Sequence, residues 1–331
     1  MRQIEKLGPR WLEIDLGAFA RNLDIVAKAV APAQLIPVIK ADAYGHGAVP
    51  LARQIEKQGF ELVAVATLEE AIALRRAFLR IAILVLGAVP EAQIADLLNY
   101  GLTPTVCEPH FAEELDRRAT ELGCSVSVHL YTDTGMGRMG LPLQRIGEAY
   151  EQIRKLSHIR ISGVYTHFPA ADEEDEASRT FTEAQWRNLR AWTDSLDPRP
   201  LLHLANSAAV LEHTYTHEQA VRPGLLLYGV SPLPSRRLLP GMAPVMSLRC
   251  RPLFIKTMEA GEVVGYGRIY KLKSRSRIMT LPAGYADGIP RRIGPFLEVS
   301  VKGRRYPVAG RICMDMMMVD IGLDAEIDTD D

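Results

Sequence analysis

Residues 62–86 read LVAVATLEEAIALRRAFLRIAILVL, and the fold follows from how this stretch divides. LVAVA (62–66) and IAILVL (81–86) are short, unbroken apolar runs, the kind buried on both faces of a parallel sheet. Between them, Leu68 to Phe78 spaces its apolar residues at helical intervals. The unit is strand, helix, strand, and it recurs outward in both directions. Further apolar runs lie at 35–40 (LIPVIK), 103–106 (TPTV), 126–131 (VSVHLY), 159–166 (IRISGVYT), 201–205 (LLHLA) and 219–222 (QAVR). Helical stretches such as Phe111 to Leu122 join most of them. Eight strand candidates alternating with helices predict an α/β fold closed into a (β/α)8 barrel of the TIM type. An open doubly wound sheet would want G-x-G-x-x-G after its first strand, and AYGHGA (43–48) is not that. Ahead of the barrel, Trp11 to Asp15 reads as a strand, and Asp15 can cap a helix over Leu16 to Val30.

The texture changes near residue 231. SPLPSRRLLPGMAP (231–244) carries four prolines and reads as a linker. Beyond it, runs at 245–258, 277–282, 297–301, 305–309 and 316–321 have strand character without a convincing helix. The expected organisation is a barrel over 1–236, with the strand at 11–15 free to join the second domain. A smaller, mainly β domain is expected over 237–331.

Composition narrows the function. At 47% hydrophobic and 24% charged, the chain matches a globular protein with a sizeable core. Its 39 basic and 40 acidic side chains give a formal charge of −1, which offers no electrostatic footprint for nucleic acid or an anionic membrane. No apolar run is long enough to span a bilayer, and MRQIEKLGPRW lacks the apolar region of a secretory signal. Cys107, Cys124, Cys250 and Cys313 form no C-x-x-C pair, and mostly buried, reduced thiols are expected. A cytoplasmic enzyme acting on a small molecule fits best.

On a barrel, functional groups come from the C-terminal strand ends and the loops after them. Lys40 ends LIPVIK and opens such a loop. Desolvation there would make its amine a nucleophile suited to imine formation, whereas a lysine snorkelling to the rim is the bland alternative. Other strand ends run into Asp133 to Arg138, into Thr166 and His167, into Asn206 and Ser207, and into Arg222 to Gly224. Singly, His167 reads as a core histidine and Ser207 as a helix cap. Jointly, a lysine for an imine and a hydroxyl with backbone N–H groups for a phosphate suggest pyridoxal 5′-phosphate.

VIKADAYGHG (38–47), DTGMGRMG (133–140), GVYTHF (163–168), NSA (206–208), VRPGLLLYG (221–229), VGYGRIY (264–270), LPAGYADG (281–288) and GRICMD (310–315) occur in this order. In these motifs, across essentially its whole length, the chain resembles the alanine racemases. The resemblance implies a pyridoxal 5′-phosphate enzyme that interconverts L- and D-alanine for peptidoglycan precursors, built as a barrel plus a β domain. It implies that Lys40 holds the cofactor and serves as one acid/base, with Tyr266 as the opposing base. Arg222 would face the pyridine nitrogen with His167 in the network beside it. Tyr44, Ser207, Gly224 and Leu225 would bind the phosphate, with Asn206 adjacent. Arg138 and Met314 would contact the substrate, and Asp315 follows in the same turn. No metal is implied. Racemisation removes a proton from one face and returns it to the other, so two groups are wanted. An ordinary phenol pKa near about 10 is high for a base at neutral pH, and a cationic network through His167 and Arg222 would lower it. The resemblance further implies a homodimer with shared active sites, in which Tyr266 serves the partner's barrel.

Two positions depart from the pattern. Many relatives carry a carbamylated lysine two residues before D-T-G-M, where this chain has Tyr131. Arg138 would then be oriented otherwise, by the phenol or by a bound anion. Relatives also continue beyond the V-D-I-G region, whereas this chain ends at Asp331 after acids at 324, 326, 328, 330 and 331. The expectation is a truncated β domain with a solvated acidic tail. Tyr131 leaves a broader-specificity amino-acid racemase as one alternative, and truncation leaves a barrel that binds the cofactor without turnover as another. A metal enzyme using His167 and His203 lacks supporting H-x-H or H-x-x-x-H spacing.

Overall fold

In the computed structural model, which describes residues 8–323 and 326–329, eight short parallel strands ring the first of two units. These are β1 (Gln34–Leu35), β2 (Leu62–Val65), β3 (Ala82–Val85), β4 (Thr103–Val106), β5 (Val126–Asp133), β6 (Ile159–Tyr165), β7 (Leu201–His203) and β8 (Ala220–Val221). Each pairs with its sequence neighbour, and β1 pairs with β8. The ring closes where Val38 bridges Ala64 of β2, with Ile39 N donating to Ala64 O at 2.9 Å. The run 35–40 is only a two-residue strand because Pro37 has no N–H to give. Ile36 and Val38 still donate to the carbonyls of Val221 and Pro223, so the barrel continues past the interruption. The readings of residues 1–7 as leaderless and of Asp324, Asp330 and Asp331 as a solvated tail lie outside the described residues.

The first unit is Ile14–Val245; the second joins the described parts of Met1–Glu13 and Met246–Asp331. In the first, Asp15 accepts from Ala18 N at 2.8 Å and starts the helix Leu16–Val30, whose Phe19, Leu23, Val26 and Val30 face the core. The helix Leu68–Arg76 stops two residues short of its predicted end. Phe78 there takes φ +64° and is exposed, beyond the point where Arg75 ties to the carbonyls of Leu79, Ile81 and Tyr100. The proline-rich stretch 231–244, read as a linker, also packs against the rest of the first unit. Leu233 is buried in the barrel's core, and the buried amide of Asn22 exchanges hydrogen bonds with both Ala243 N and Ala243 O. Leu238 and Leu239 pack against the same core.

The barrel interior is chemically divided. Ile36, Val38, Ala64, Leu84 and Ala220 make an apolar cluster. His129, Tyr131, Tyr165, His203 and Arg222, all buried, come from β5 to β8. A register shift in β5 between Val128 and His129 sets His129 opposite Gly163 and Tyr131 opposite Tyr165. Gly163 is required here, since a Cβ would fall 2.6 Å from the His129 ring.

The second unit is antiparallel. Phe254–Met258, Ser276–Leu281 and Met317–Asp320 form one sheet, in that order. Val263–Val264 pairs with Tyr270–Lys271, Glu298–Val301 with Arg304–Pro307, and Arg10–Ile14 with Met246–Cys250. Met279, Leu281, Ile312, Met317 and Val319 are among its core. The four cysteines carry free thiols but are half-buried, less enclosed than expected. Cys107 follows the last residue of β4, where partial burial pushes its thiol up to about 11.

Candidate active site

Lys40 is half-buried and opens an uncommon turn. Ala41, Asp42, Ala43 and Tyr44 all take left-handed helical conformations, with φ between 51° and 56°. Such backbone costs L-residues about 1–2 kcal/mol each and persists only where surroundings dictate it. The dictating contacts are specific. Ala43 N donates to Ile39 O, Gly47 N to Asp42 O, and Ala48 N to the Asp42 carboxylate. Ala41 N donates to Glu70 Oε1 at 2.6 Å, and the other oxygen of the same carboxylate accepts from Ala66 N at 2.7 Å and Thr67 N. Glu70 thus fastens the Lys40 turn to the end of β2. Glu70→Ala should cost about 2–3 kcal/mol, the range for hydrogen bonds to a charged acceptor. Chemical denaturation of the two proteins checks this, and a change below about 0.5 kcal/mol would dismiss the bracing role.

Above the strand ends lies a cavity of about 380 Å³. It gathers Lys40, Tyr44, Arg138, His167, Asn206, Ser207, Arg222, Gly224 and Leu225, every site residue predicted within the barrel. Asn206 caps the helix Ser207–Glu212, accepting from Ala208 N and Ala209 N. The buried Ser207 hydroxyl accepts from Gly224 N at 2.9 Å and Leu226 N at 3.2 Å, which leaves its own proton to donate. Gly224 admits the Tyr44 phenol, since a Cβ there would lie 2.2 Å from the Tyr44 oxygen. Arg138 rides a loop folded by Asp133, whose carboxylate accepts from Gly135 N and Gly137 N.

Arg222 organises the floor. Its guanidinium donates to the carbonyls of Thr166 (2.6 Å), His203 and Leu204, and to His203 Nδ1 at 2.8 Å. It also lies 4.8 Å from the centre of the Tyr165 ring. Among the described residues no carboxylate pairs with it, and burial pulls its pKa down to about 10, so it stays charged at neutral pH. Because Arg222 can only donate, His203 Nδ1 must accept, and His203 Nε2 therefore donates to His129 Nδ1 at 2.8 Å. Burial, then Arg222, holds His129 down to about 3 and His203 well below the usual imidazole range. His167 is likewise held to about 3, by burial and then by Arg222, Arg138 and Lys40. The network beside Arg222 is therefore cationic through Arg222 alone, with His167 a neutral imidazole. That corrects the expectation that both would carry charge.

These depressed values fix a pH dependence. Below an unfolded-state pKa of about 6.5, unfolded histidines bind protons that native His129 and His203 refuse. Their stability contribution is complete above that pH and falls by about 1.4 kcal/mol per pH unit for each as pH drops toward 3. The melting temperature should decline between pH 6.5 and 5, with unfolding coupled to uptake of about three protons, His167 adding to His129 and His203. A flat profile across that window would contradict neutral, buried imidazoles.

Tyr266 and Met314 belong to the second unit, where they line a concavity with Tyr285 and Arg291; Asp315 lines neither cavity. Tyr266 stands exposed on a turn between Gly265 (φ +72°) and Gly267 (φ +75°). The motifs LPAGYADG and GRICMD interlock. Tyr285 N donates to Cys313 O and Ala286 N to Met314 O, and a Cβ on Gly284 would strike the Met314 carbonyl at 2.2 Å.

Several contributors escaped the sequence reading. Tyr165, stacked on His203 and bonded to Thr105, lines the cavity, as do Leu86, Gly87 and Asp172. The available signal was alternation along β5 and β6, which points His129, Tyr131 and Tyr165 inward. Pro232, Tyr285 and Arg291 had no such signal.

A barrel with a lysine at the end of its first strand, a buried arginine on its floor and a polar cradle opposite, joined to a β unit, defines a class of cofactor-dependent barrel enzymes. Residues 14–232 match the family model for the alanine racemase N-terminal domain, and residues 245–331 the model for the C-terminal domain. The alanine racemase of Desulforamulus reducens is 39% identical over 98% of this chain and 88% of its own length. Among solved structures, the alanine racemase from D-cycloserine-producing Streptomyces lavendulae aligns with a TM-score of 0.87 at 34% identity, over 97% of this chain and 85% of that one. The alanine racemase of Bartonella henselae, with covalently bound pyridoxal phosphate, aligns with a TM-score of 0.81 at 26% identity, over 96% of this chain and 88% of that one. The chain belongs to the alanine racemase family.

Proposed function

We propose that this chain interconverts L- and D-alanine using pyridoxal 5′-phosphate held in the barrel cavity, with Lys40 and Tyr266 as the two proton-transfer groups. One observation carries the reading: a cavity at the strand ends gathers the Lys40 amine, the cradle of Tyr44, Ser207 and Gly224, and the carboxylate-free cation Arg222. The cofactor fits these residues. Gly224 makes room for the Tyr44 hydroxyl, which with the Ser207 hydroxyl offers donors for phosphate oxygens, and Lys40 lines the same cavity. When bound, the cofactor withdraws electrons from the amino acid and makes its α-proton removable.

The chain's own groups do the rest. Lys40 holds the cofactor and exchanges a proton on one face of the amino acid, while Tyr266 exchanges it on the other. Arg138 binds the carboxylate, and Met314 packs at the substrate. Asn206 fixes the turn that presents Ser207. Arg222 keeps its own proton at neutral pH, so beside the ring of a bound cofactor it would restrain electron withdrawal and favour return of the α-proton over transamination. A homodimer would let Tyr266 of one protomer serve the other's barrel.

No described helix is long and apolar enough to cross a membrane. We place the activity in the cytoplasm, where D-alanine enters peptidoglycan precursors. The test is incubation of the cofactor-loaded chain with L-alanine in D₂O. Exchange of the α-proton together with D-alanine formation is expected, and absence of both would sink the reading.

A further inference from the structure

We propose that the Tyr131 hydroxyl is a binding group for the substrate carboxylate, donating to it beside Arg138. This rests on the reading of the cavity as an amino-acid site.

Tyr131 and Arg138 both line the cavity. The Tyr131 hydroxyl is buried with the Arg138 guanidinium beside it, close enough to lower the phenol's pKa by its charge and by a side-chain hydrogen bond to the oxygen, and among the described residues nothing accepts the hydroxyl's own proton. Buried polar atoms are rarely left unpaired, so an orphan donor in a cavity points to a ligand atom. Its polarity is fixed. Burial raises the phenol's pKa above its ordinary value and outweighs the opposing pull of Arg138, so the group keeps its proton and can donate. A guanidinium has donors only. A guanidinium beside a phenol proton that nothing accepts calls for an anion, and a carboxylate has lone pairs for both.

The hydroxyl is also held in place. Tyr131 lies opposite Tyr165 in the sheet register and stacks on its ring at 4.8 Å and 25°. Tyr165 is pinned in turn by Thr105 at 2.8 Å and the Leu86 carbonyl at 3.1 Å. On another side, Gly140 is packed so closely that a Cβ would sit 2.9 Å from Tyr131 Cδ1. The ring cannot swing away to find another partner, and its position comes without ordering cost when the substrate arrives.

The test compares the wild-type and Tyr131→Phe proteins, both loaded with pyridoxal 5′-phosphate, by calorimetric titration with propionate and with isopropylamine. Propionate keeps the carboxylate, isopropylamine the amine and methyl groups. The variant should bind propionate about tenfold more weakly and isopropylamine within about twofold of wild type. KM for both alanine enantiomers should rise by a larger factor than kcat falls. The ligand-free variant should melt close to wild type, because the lost hydroxyl's proton had no acceptor to forfeit. Equal propionate affinity, an equal loss for isopropylamine, no propionate binding by wild type, or a markedly lowered melting temperature would each overturn the proposal. So would a difference confined to chloride, which would assign the hydroxyl to an inorganic anion. Propionate binding requires no turnover. A variant that loses propionate in a protein inactive on alanine would fault the racemase reading and leave this one standing. An active enzyme with an indifferent variant would do the reverse.

Discussion

Lys40→Ala should abolish covalent attachment of pyridoxal phosphate and lower racemisation by about 10³-fold or more, since in the proposed reaction one residue would supply both the anchor and a proton-transfer group. Borohydride reduction followed by peptide mass mapping should place the cofactor on Lys40 in the wild type and nowhere in the variant. Attachment persisting at another lysine would overturn the assignment. The magnitude follows from geometry. Lys40 is fixed by a left-handed turn whose hydrogen bonds to Ile39, Asp42 and Glu70 leave the backbone little latitude. No neighbouring amine can be moved into its place without dismantling that turn. Lys40→Arg provides a control. It keeps a positive charge and loses the nucleophile, so it should fail as fully as the alanine variant. An arginine variant with substantial activity would mean that charge, not imine chemistry, is what the position supplies.

Local periodicity made the barrel legible. Each strand of the ring overlaps an apolar run of the sequence, the helix Leu16–Val30 begins where Asp15 reads as its cap, and the helix read over Phe111 to Leu122 starts two residues earlier, at Pro109. Strand ends are where a barrel collects its chemistry, so Lys40, His167, Ser207 and Arg222 could be picked from position and residue type. What was hidden depends on the third dimension. The turn after Lys40 looks from sequence like an ordinary loop, because nothing local favours αL backbone at Ala41 or Ala43. Glu70, 29 residues away from Ala41, helps impose it. The β5 irregularity that aligns Tyr131 with Tyr165 is likewise a pairing property and leaves no mark on one strand alone. That the linker stretch 231–244 also packs on the barrel was hidden for a related reason. Proline content reports the absence of helix, whereas docking on the barrel is set by Leu233 and by the distant Asn22.

Tyr266→Phe should separate the two halves of the reaction. With Lys40 intact, one enantiomer should still exchange its α-proton with D₂O, while exchange from the other and racemisation should fall by about 10²–10⁴-fold, the range for loss of a positioned acid/base. Uniform loss from both enantiomers would instead make Tyr266 a structural residue. A structural role is not what its surroundings predict. The side chain is 63% exposed on a turn between two glycines of positive φ, so removing one hydroxyl should leave the fold's stability unchanged. An exposed side chain can serve a reaction only where another surface encloses it, and the proposed homodimer would supply that surface. Inactive Lys40→Ala and inactive Tyr266→Phe proteins, mixed under conditions that exchange subunits, should then regain activity. A hybrid dimer pairs the unaltered Lys40 of one chain with the unaltered Tyr266 of the other, and random exchange makes about half of all dimers hybrid, each with one intact site of two. About a quarter of the wild-type activity is therefore the expected ceiling. No recovery from subunits shown to exchange would confine each site to a single chain.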